Sequence, residues 1–69
     1  LGDVYKRQIL NGANEEAVGL FLADRIGFHD IPDLVARARA EVDVVTSPTL
    51  EDILEADRLA RESVLRKSK

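Results

Sequence analysis

The sequence predicts an all-α fold of three helices joined by short loops. Three stretches place apolar residues three and four positions apart, which is the spacing of one buried face of an amphipathic helix. Nothing between them alternates apolar and polar residues for long enough to form a sheet. The chain has 69 residues, 45% of them hydrophobic and 33% charged, a composition typical of a small helical domain. Because the predicted connections are short, we expect consecutive helices to be antiparallel neighbours.

The first helix is predicted near residues 11–26. Asn11 is a favourable N-cap residue, and Gly27 stands where a helix commonly ends in a left-handed conformation. Two rows with a spacing of four residues form its expected buried face: Ala13, Ala17 and Phe21, and beside them Val18, Leu22 and Ile26. Residues 1–8 show no clean period and no cap, and they are therefore expected to be an irregular lead-in.

The second helix is predicted near residues 31–42. Asp30 is placed to cap it, and Pro32 lies in the first turn, where its missing N–H group is not needed. The expected buried face consists of Ile31, Leu34, Val35, Ala38 and Val42. Residues 43–48 are expected to form a connecting loop, because they are rich in β-branched side chains and end at Pro48.

The third helix is predicted near residues 50–67. Thr49 followed three residues later by Asp52 resembles a capping box in which Asp replaces the usual Glu or Gln. The expected apolar row is Leu50, Ile53, Leu54, Ala60, Val64 and Leu65. Asp57 falls on or beside this row, with Arg61 one turn later. Two interpretations stay open: a partly exposed ion pair within the helix, or an anchor that accepts hydrogen bonds from a partner segment.

Composition excludes several functional classes. The absence of cysteine excludes a disulfide scaffold and a thiolate zinc site. The net charge of −3 does not fit a general binder of phosphate backbones, so we expect no nucleic acid partner. No apolar run approaches the length needed to cross a bilayer, so we expect no membrane partner and a cytoplasmic location.

The residues capable of chemistry are few, and the sequence predicts no catalytic, cofactor-binding or metal-binding residue. His29 is the only histidine and is expected to be an exposed linker residue. The three serines, Ser47, Ser63 and Ser68, have no base at a spacing typical of a nucleophile. The glycines are too far apart for a phosphate-binding loop. The acidic pairs at 15–16 and 51–52 suit the first turns of helices rather than a metal site.

Several segments together resemble the C-terminal helical domain of 1-deoxy-D-xylulose 5-phosphate reductoisomerases. The resemblance rests on residues 9–18 (ILNGANEEAV), on the FL, IGF and DI segments at 21–22, 26–28 and 30–31, and on residues 48–57 (PTLEDILEAD) followed by Ala60 and Arg61. The order and spacing match along about sixty residues from Ile9 onward. The opening and the tail form a specific combination, although either alone is a weak signal.

The resemblance implies that the parent enzyme rearranges 1-deoxy-D-xylulose 5-phosphate and reduces the product with NADPH to 2-C-methyl-D-erythritol 4-phosphate. It further implies Mg²⁺ or Mn²⁺ as a cofactor, a place in non-mevalonate isoprenoid biosynthesis, and a homodimeric parent. The family's nucleotide, metal and phosphate sites lie in its other domains. This chain is therefore expected to be inactive by itself and to support the remaining domains of the parent enzyme.

The resemblance also implies the domain organisation: an irregular lead-in over residues 1–8, foreign to the family, and a C-terminal helical-bundle domain over residues 9–69. The fold is then expected to be three helices of an incomplete antiparallel four-helix bundle, without the first helix. With exposed apolar stripes, the isolated chain is expected to be molten or to self-associate. The alternative from another functional class is a free-standing acidic three-helix module that docks a partner helix.

Overall fold

Three helices account for most of the chain in the computed structural model, which describes residues 2–42 and 45–68. Helix α1 spans Gly2–Leu22, α2 spans Asp30–Glu41, and α3 spans Leu50–Lys67. No strand occurs within the described residues, and the predicted all-α fold of three helices is confirmed. Asp43 and Val44 of the predicted loop lie outside the described residues, as do the two terminal residues.

The helices form a bundle about 37 Å long, in which α2 runs antiparallel to its two neighbours. The N-terminal half of α1 shares one cleft with the C-terminal end of α2, and the start of α2 shares another with the end of α3. The beginnings of α1 and α3 meet at a third cleft, so these two helices run parallel. Consecutive helices are therefore antiparallel neighbours, as predicted. A fourth helix stays a prediction.

Helix α1 begins nine residues earlier than predicted. Residues 2–8 are helical, so the irregular lead-in over 1–8 is wrong for the residues that the structure describes. The reason is a row with a spacing of four residues that the sequence interpretation left incomplete: Tyr5, Ile9, Ala13 and Ala17 are all buried. Because Tyr5 extends the buried face by one turn, Asn11 lies inside the helix and caps nothing. The foreign origin of these residues stays a prediction.

The end of α1 also differs from the prediction. The helix stops at Leu22, and Asp24 adopts the left-handed conformation with φ of 60°. The amide of Arg25 donates to the Leu20 carbonyl at 2.9 Å and the amide of Asp24 to the Phe21 carbonyl at 3.0 Å, the pattern of a Schellman motif. Gly27 has no positive φ, so the predicted cap there is wrong. As a result Leu22 is exposed rather than buried.

The starts of the two later helices contrast. At α3 the capping box is confirmed: the Asp52 amide donates to Thr49 Oγ1 at 3.1 Å, and the Thr49 amide donates to Asp52 Oδ2 at 2.9 Å. At α2 the predicted cap by Asp30 is wrong, because Asp30 is already the first helical residue. Its carboxylate instead accepts the amide of Gly27 at 2.8 Å and fastens the preceding turn.

The core lies between the three helices and is built largely from small and aliphatic side chains. Its buried members are Tyr5, Ile9, Ala13, Ala17, Ile31, Leu34, Ala38, Val42, Ile53, Ala56, Ala60 and Val64. The predicted face of α2 is confirmed, apart from Val35, which is only partly buried. On α3 the prediction fails for Leu50, Leu54 and Leu65, which are exposed. The face of α3 that packs in the core carries Ala56 and Ala60, which are both buried.

Candidate functional site

Helix α1 lies close to α3 at Gly12. A Cβ built on Gly12 overlaps Asp57 Oδ1 and lies only 3.3 Å from Asp57 Cγ and 3.4 Å from Arg61 Nε. Glycine is therefore the residue that leaves room for the Asp57 carboxylate at this crossing. The site is a helix–helix contact in which a polar side chain from α3 packs directly against the α1 backbone.

Five residues at this contact form one group, here called the Arg61 cluster: Gly12, Glu15, Glu16, Asp57 and Arg61. Arg61 Nε donates to both Asp57 oxygens at 3.1 Å. Its two terminal nitrogens reach across to α1, to Glu16 Oε1 at 3.3 Å and to Glu15 Oε2 at 3.0 Å. One guanidinium therefore ties α3 to two successive residues of α1.

Both open interpretations of Asp57 hold in this arrangement. The i, i+4 pair with Arg61 within α3 is confirmed. Asp57 Oδ1 also accepts a hydrogen bond from Gln8 Nε2 at 3.1 Å, and Gln8 belongs to another helix. The partner segment that the second interpretation required is α1 of the same chain. Asp57 is 24% exposed and Arg61 30%, so water screens their attraction less than at an open surface.

The charges of the Arg61 cluster hold α3 against α1 and do not make Arg61 an acid or a base. The pKa of Arg61 is raised, because Asp57 and then Glu15 accept its hydrogen bonds. A guanidinium so stabilised stays protonated at every pH at which the protein is folded, so it serves as neither acid nor base. Three carboxylates surround this single cation, and its loss leaves them facing one another.

Comparison with known proteins gives a consistent picture. The model of the DXP reductoisomerase C-terminal domain matches residues 3–63. A 1-deoxy-D-xylulose 5-phosphate reductoisomerase of Rippkaea orientalis is 52% identical over 62 residues, 87% of this chain and 16% of the relative. The chain belongs to the family of DXP reductoisomerase C-terminal domains.

Two further reductoisomerases have a similar identity over most of this chain. The 1-deoxy-D-xylulose 5-phosphate reductoisomerase of a Synechococcus strain is 55% identical over 53 residues, 77% of this chain and 14% of the relative. That of Aquifex aeolicus is 47% identical over 64 residues, 93% of this chain and 17% of the relative. The chain thus spans about one sixth of the length of these reductoisomerases. No solved structure matches it.

All five residues of the Arg61 cluster lie inside the segment that matches this family. The sequence interpretation singled out Asp57 and Arg61 but treated Glu15 and Glu16 only as first-turn acids. With α1 beginning at Gly2, both glutamates lie in the middle of the helix, beside α3. The sequence offered only a small residue at position 12, one turn before two acids, and this pattern does not say which helix approaches α1.

A second interhelical cluster joins α2 to α3 around Glu41. The buried Ser63 hydroxyl donates to Glu41 Oε2, Arg66 Nη2 lies 3.2 Å from the same oxygen, and Lys67 Nζ lies 3.2 Å from Oε1. The pKa of Glu41 is lowered from 4.5, because Ser63 and then Lys67 donate hydrogen bonds to its charged form. Sequence reasoning missed this cluster, because Glu41 is 22 or more positions away from each of its three partners.

The remaining candidate residues are engaged in local structure. His29 is exposed, and its Nε2 lies 3.8 Å from Asp30 Oδ1. Ser63 contacts Glu41, and Ser68 Oγ donates to the Leu65 carbonyl at 2.9 Å. Over residues 2–42 and 45–68, no group of three His, Cys, Asp or Glu side chains could hold a metal ion. The same residues include no helix long and apolar enough to cross a membrane.

Proposed function

We propose that this chain is the C-terminal supporting domain of a 1-deoxy-D-xylulose 5-phosphate reductoisomerase and contributes no catalytic group. The observation that carries the proposal is the family match over residues 3–63, together with about 50% identity to reductoisomerases. The parent enzyme converts its substrate to 2-C-methyl-D-erythritol 4-phosphate in isoprenoid biosynthesis. The parent is a homodimer in the cytoplasm.

The proposal places NADPH and Mg²⁺ or Mn²⁺ in the other domains of the parent. The described residues of this chain do not fit a metal, since their acidic side chains are engaged by arginine, lysine, serine or backbone groups or stand apart from one another. They also do not provide closely spaced glycines for a dinucleotide phosphate. No step of the reaction is therefore assigned to this chain.

The proposed role of the chain is to hold and orient the neighbouring domains. Two polar clusters fix α3 against α1 and against α2, and each cluster joins helices that are separated in sequence. Such cross-links hold three short helices in one arrangement, which a supporting domain requires if it is to orient its neighbours. This domain binds and orients protein, and it neither binds substrate nor transfers protons.

Two measurements test the proposal. The isolated chain should oxidise no NADPH in the presence of substrate and Mn²⁺. In a graft, residues 3–63 replace the matched segment of the Rippkaea orientalis enzyme, and the graft should retain reductoisomerase activity. The same graft carrying Gly12→Val, which disturbs the α1–α3 contact, is the matched control and should lose activity through lower stability.

The two arms distinguish the proposal from its alternative. Turnover by the isolated chain would overturn the assignment of all catalytic groups to other domains. A graft that folds but has no activity would remove this chain from the family's function and would favour the free-standing interaction module instead.

A further inference from the structure

Helix α1 contains an asparagine followed directly by a glycine, Asn11 and Gly12. Asparagine is a thermolabile residue, because the next backbone nitrogen can attack its side-chain amide. A following glycine favours this attack, because it has no Cβ to hinder the approach and its backbone reaches conformations that other residues rarely adopt. The other asparagine of the chain, Asn14, precedes Glu15, whose side chain hinders the same attack.

The glycine of this pair is required by the packing of the helices. Asn11 is exposed, whereas Gly12 is buried, and a Cβ at position 12 overlaps the Asp57 carboxylate. Any larger residue that would protect Asn11 from attack therefore disturbs the contact between α1 and α3. The same missing Cβ that leaves room for Asp57 makes Asn11 reactive.

The folded helix keeps the pair in an unreactive arrangement. In an α-helix each interior backbone N–H donates to the carbonyl four residues earlier. Because Gly12 lies in the middle of α1, its nitrogen is held in this way. Ring closure requires the backbone at Asn11 to leave the helical conformation, so the attack needs a local opening of α1.

We propose that Asn11 is a site of spontaneous deamidation, and that opening of the contact between α1 and α3 controls its rate. In the opened helix the Gly12 nitrogen loses its proton and bonds to Asn11 Cγ, the Cγ–Nδ2 bond breaks, and ammonia leaves with the proton. Water then opens the succinimide ring at either carbonyl, which leaves aspartate or isoaspartate at position 11. The reaction consumes water, releases ammonia and involves no oxidation or reduction.

Both products favour the opened helix. Aspartate at position 11 lies one turn before Glu15, and like charges at this spacing destabilise a helix. It also adds a carboxylate next to the Arg61 cluster, in which three carboxylates already share one cation. Isoaspartate inserts a methylene into the backbone and interrupts the helical hydrogen bonds. A deamidated chain therefore opens more readily than the original, and refolding does not reverse the change.

Peptide mapping by mass spectrometry tests the proposal on the 69-residue chain. The chain is incubated at neutral pH, in buffer and in guanidinium chloride, and deamidation is followed at both asparagines. In the denaturant Asn11 should react roughly tenfold or more faster than Asn14, which is the matched control in the same helix. In buffer the rate at Asn11 should fall roughly tenfold or more, since only the opened fraction of the chain reacts.

Three variants separate the chemistry from the folding. In the denaturant Gly12→Ala should slow Asn11 to about the rate of Asn14, whether or not this variant folds. In buffer Arg61→Met should raise the rate at Asn11 roughly fivefold, because it weakens the contact between α1 and α3. Arg58→Met is its matched control and should leave the rate nearly unchanged, because Arg58 pairs only within α3. Neither arginine variant should alter the rate in the denaturant.

Two results would overturn the proposal. Equal rates at Asn11 and Asn14 in the denaturant would show that the following glycine gives Asn11 no special reactivity. A rate at Asn11 that is the same in buffer and in the denaturant, or that Arg61→Met leaves unchanged in buffer, would show that the contact between α1 and α3 does not control the reaction. Neither result bears on the activity of the graft, so the proposed function stands or falls separately.

Discussion

Two arginines one turn apart on α3 make similar ion pairs in different settings. Arg58 pairs with Glu55 and Glu62, both on its own helix, and all three side chains are more than half exposed. Arg61 pairs with Asp57 on its own helix and with Glu15 and Glu16 on α1, and it is 30% exposed. Arg58 therefore supports one helix, whereas Arg61 connects two.

The difference shows that a list of ion pairs says little about stability. An exposed pair within one helix adds a few tenths of a kcal/mol, because water screens it and two long side chains lose freedom. A pair between helices also fixes tertiary structure, and removal of one partner leaves charges near each other at a close backbone crossing. Arg61, unlike Arg58, lies beside Gly12, where α1 approaches α3.

The largest effect is expected for Gly12→Val. Its side chain overlaps the Asp57 carboxylate, so either α1 and α3 separate or Asp57 rotates away from Arg61. We expect the free energy of unfolding to fall by about 3 kcal/mol, as is typical of overpacking at a close contact. Urea titration followed by far-UV circular dichroism measures the change.

The matched control for that substitution is Gly19→Val, in the same helix. A Cβ at Gly19 meets nothing within 4 Å, so valine there should not lower the stability. Equal losses at the two positions would show that the close contact at Gly12 has no energetic weight of its own.

A smaller loss is expected for Arg61→Met, which keeps an apolar stem but removes the cation. Glu15, Glu16 and Asp57 are then left without their shared partner, and we expect a loss of about 1 kcal/mol, after allowance for partial exposure. Thermal denaturation of both arginine variants at low salt checks this. Arg58→Met should lower the stability by only a few tenths of a kcal/mol, and a larger effect there than at Arg61 would reverse the comparison.

The sequence predicted the start of α3 better than either end of α1, and the reason is physical. The Thr49 cap depends on Asp52 three residues away, so both halves of the signal lie in one short segment. The end of α1 depends on which residue adopts the left-handed conformation, and this residue is Asp24 rather than Gly27. Its start lies where the row of Ala13 and Ala17 continues through Ile9 to Tyr5, and only the packed core shows that these two residues are buried.

The residues of the candidate site also differ in whether a local pattern predicted them. The i, i+4 spacing of Asp57 and Arg61 predicted their pair without reference to any other helix. Glu15 and Glu16 could not be assigned to it, because their approach depends on the parallel crossing of α1 and α3. Three leucines of α3 were expected in the core for a related reason: helical periodicity defines a face, but the packing partner decides how far that face is rotated inward.

The smallest expected effect is a pH dependence of the stability, and it compares two glutamates, Glu41 and Glu55. Ser63 of another helix is the largest cause that lowers the pKa of Glu41, whereas Arg58 of the same helix is the largest cause for Glu55. A carboxyl whose pKa is lowered by folding stabilises the protein above its unfolded pKa, here 4.5. That contribution is lost as the pH falls below 4.5 and through the folded pKa, because the unfolded chain takes up the proton first.

Glu41→Gln should therefore flatten the fall in urea midpoint on acidification, and it should do so more than Glu55→Gln. The reason is that unfolding separates Glu41 from Ser63, whereas the residues that contact Glu55 remain its neighbours in sequence. Ser63→Ala supplies the control, because it removes the hydrogen bond and keeps the carboxyl, and combining it with Glu41→Gln should add little. Urea midpoints measured from about pH 7 to about pH 3 decide the matter. If the profiles of Glu41→Gln and the unmodified chain run parallel, the Glu41 contact does not differ between the folded and unfolded states, and only the Arg61 cluster links helices through charge.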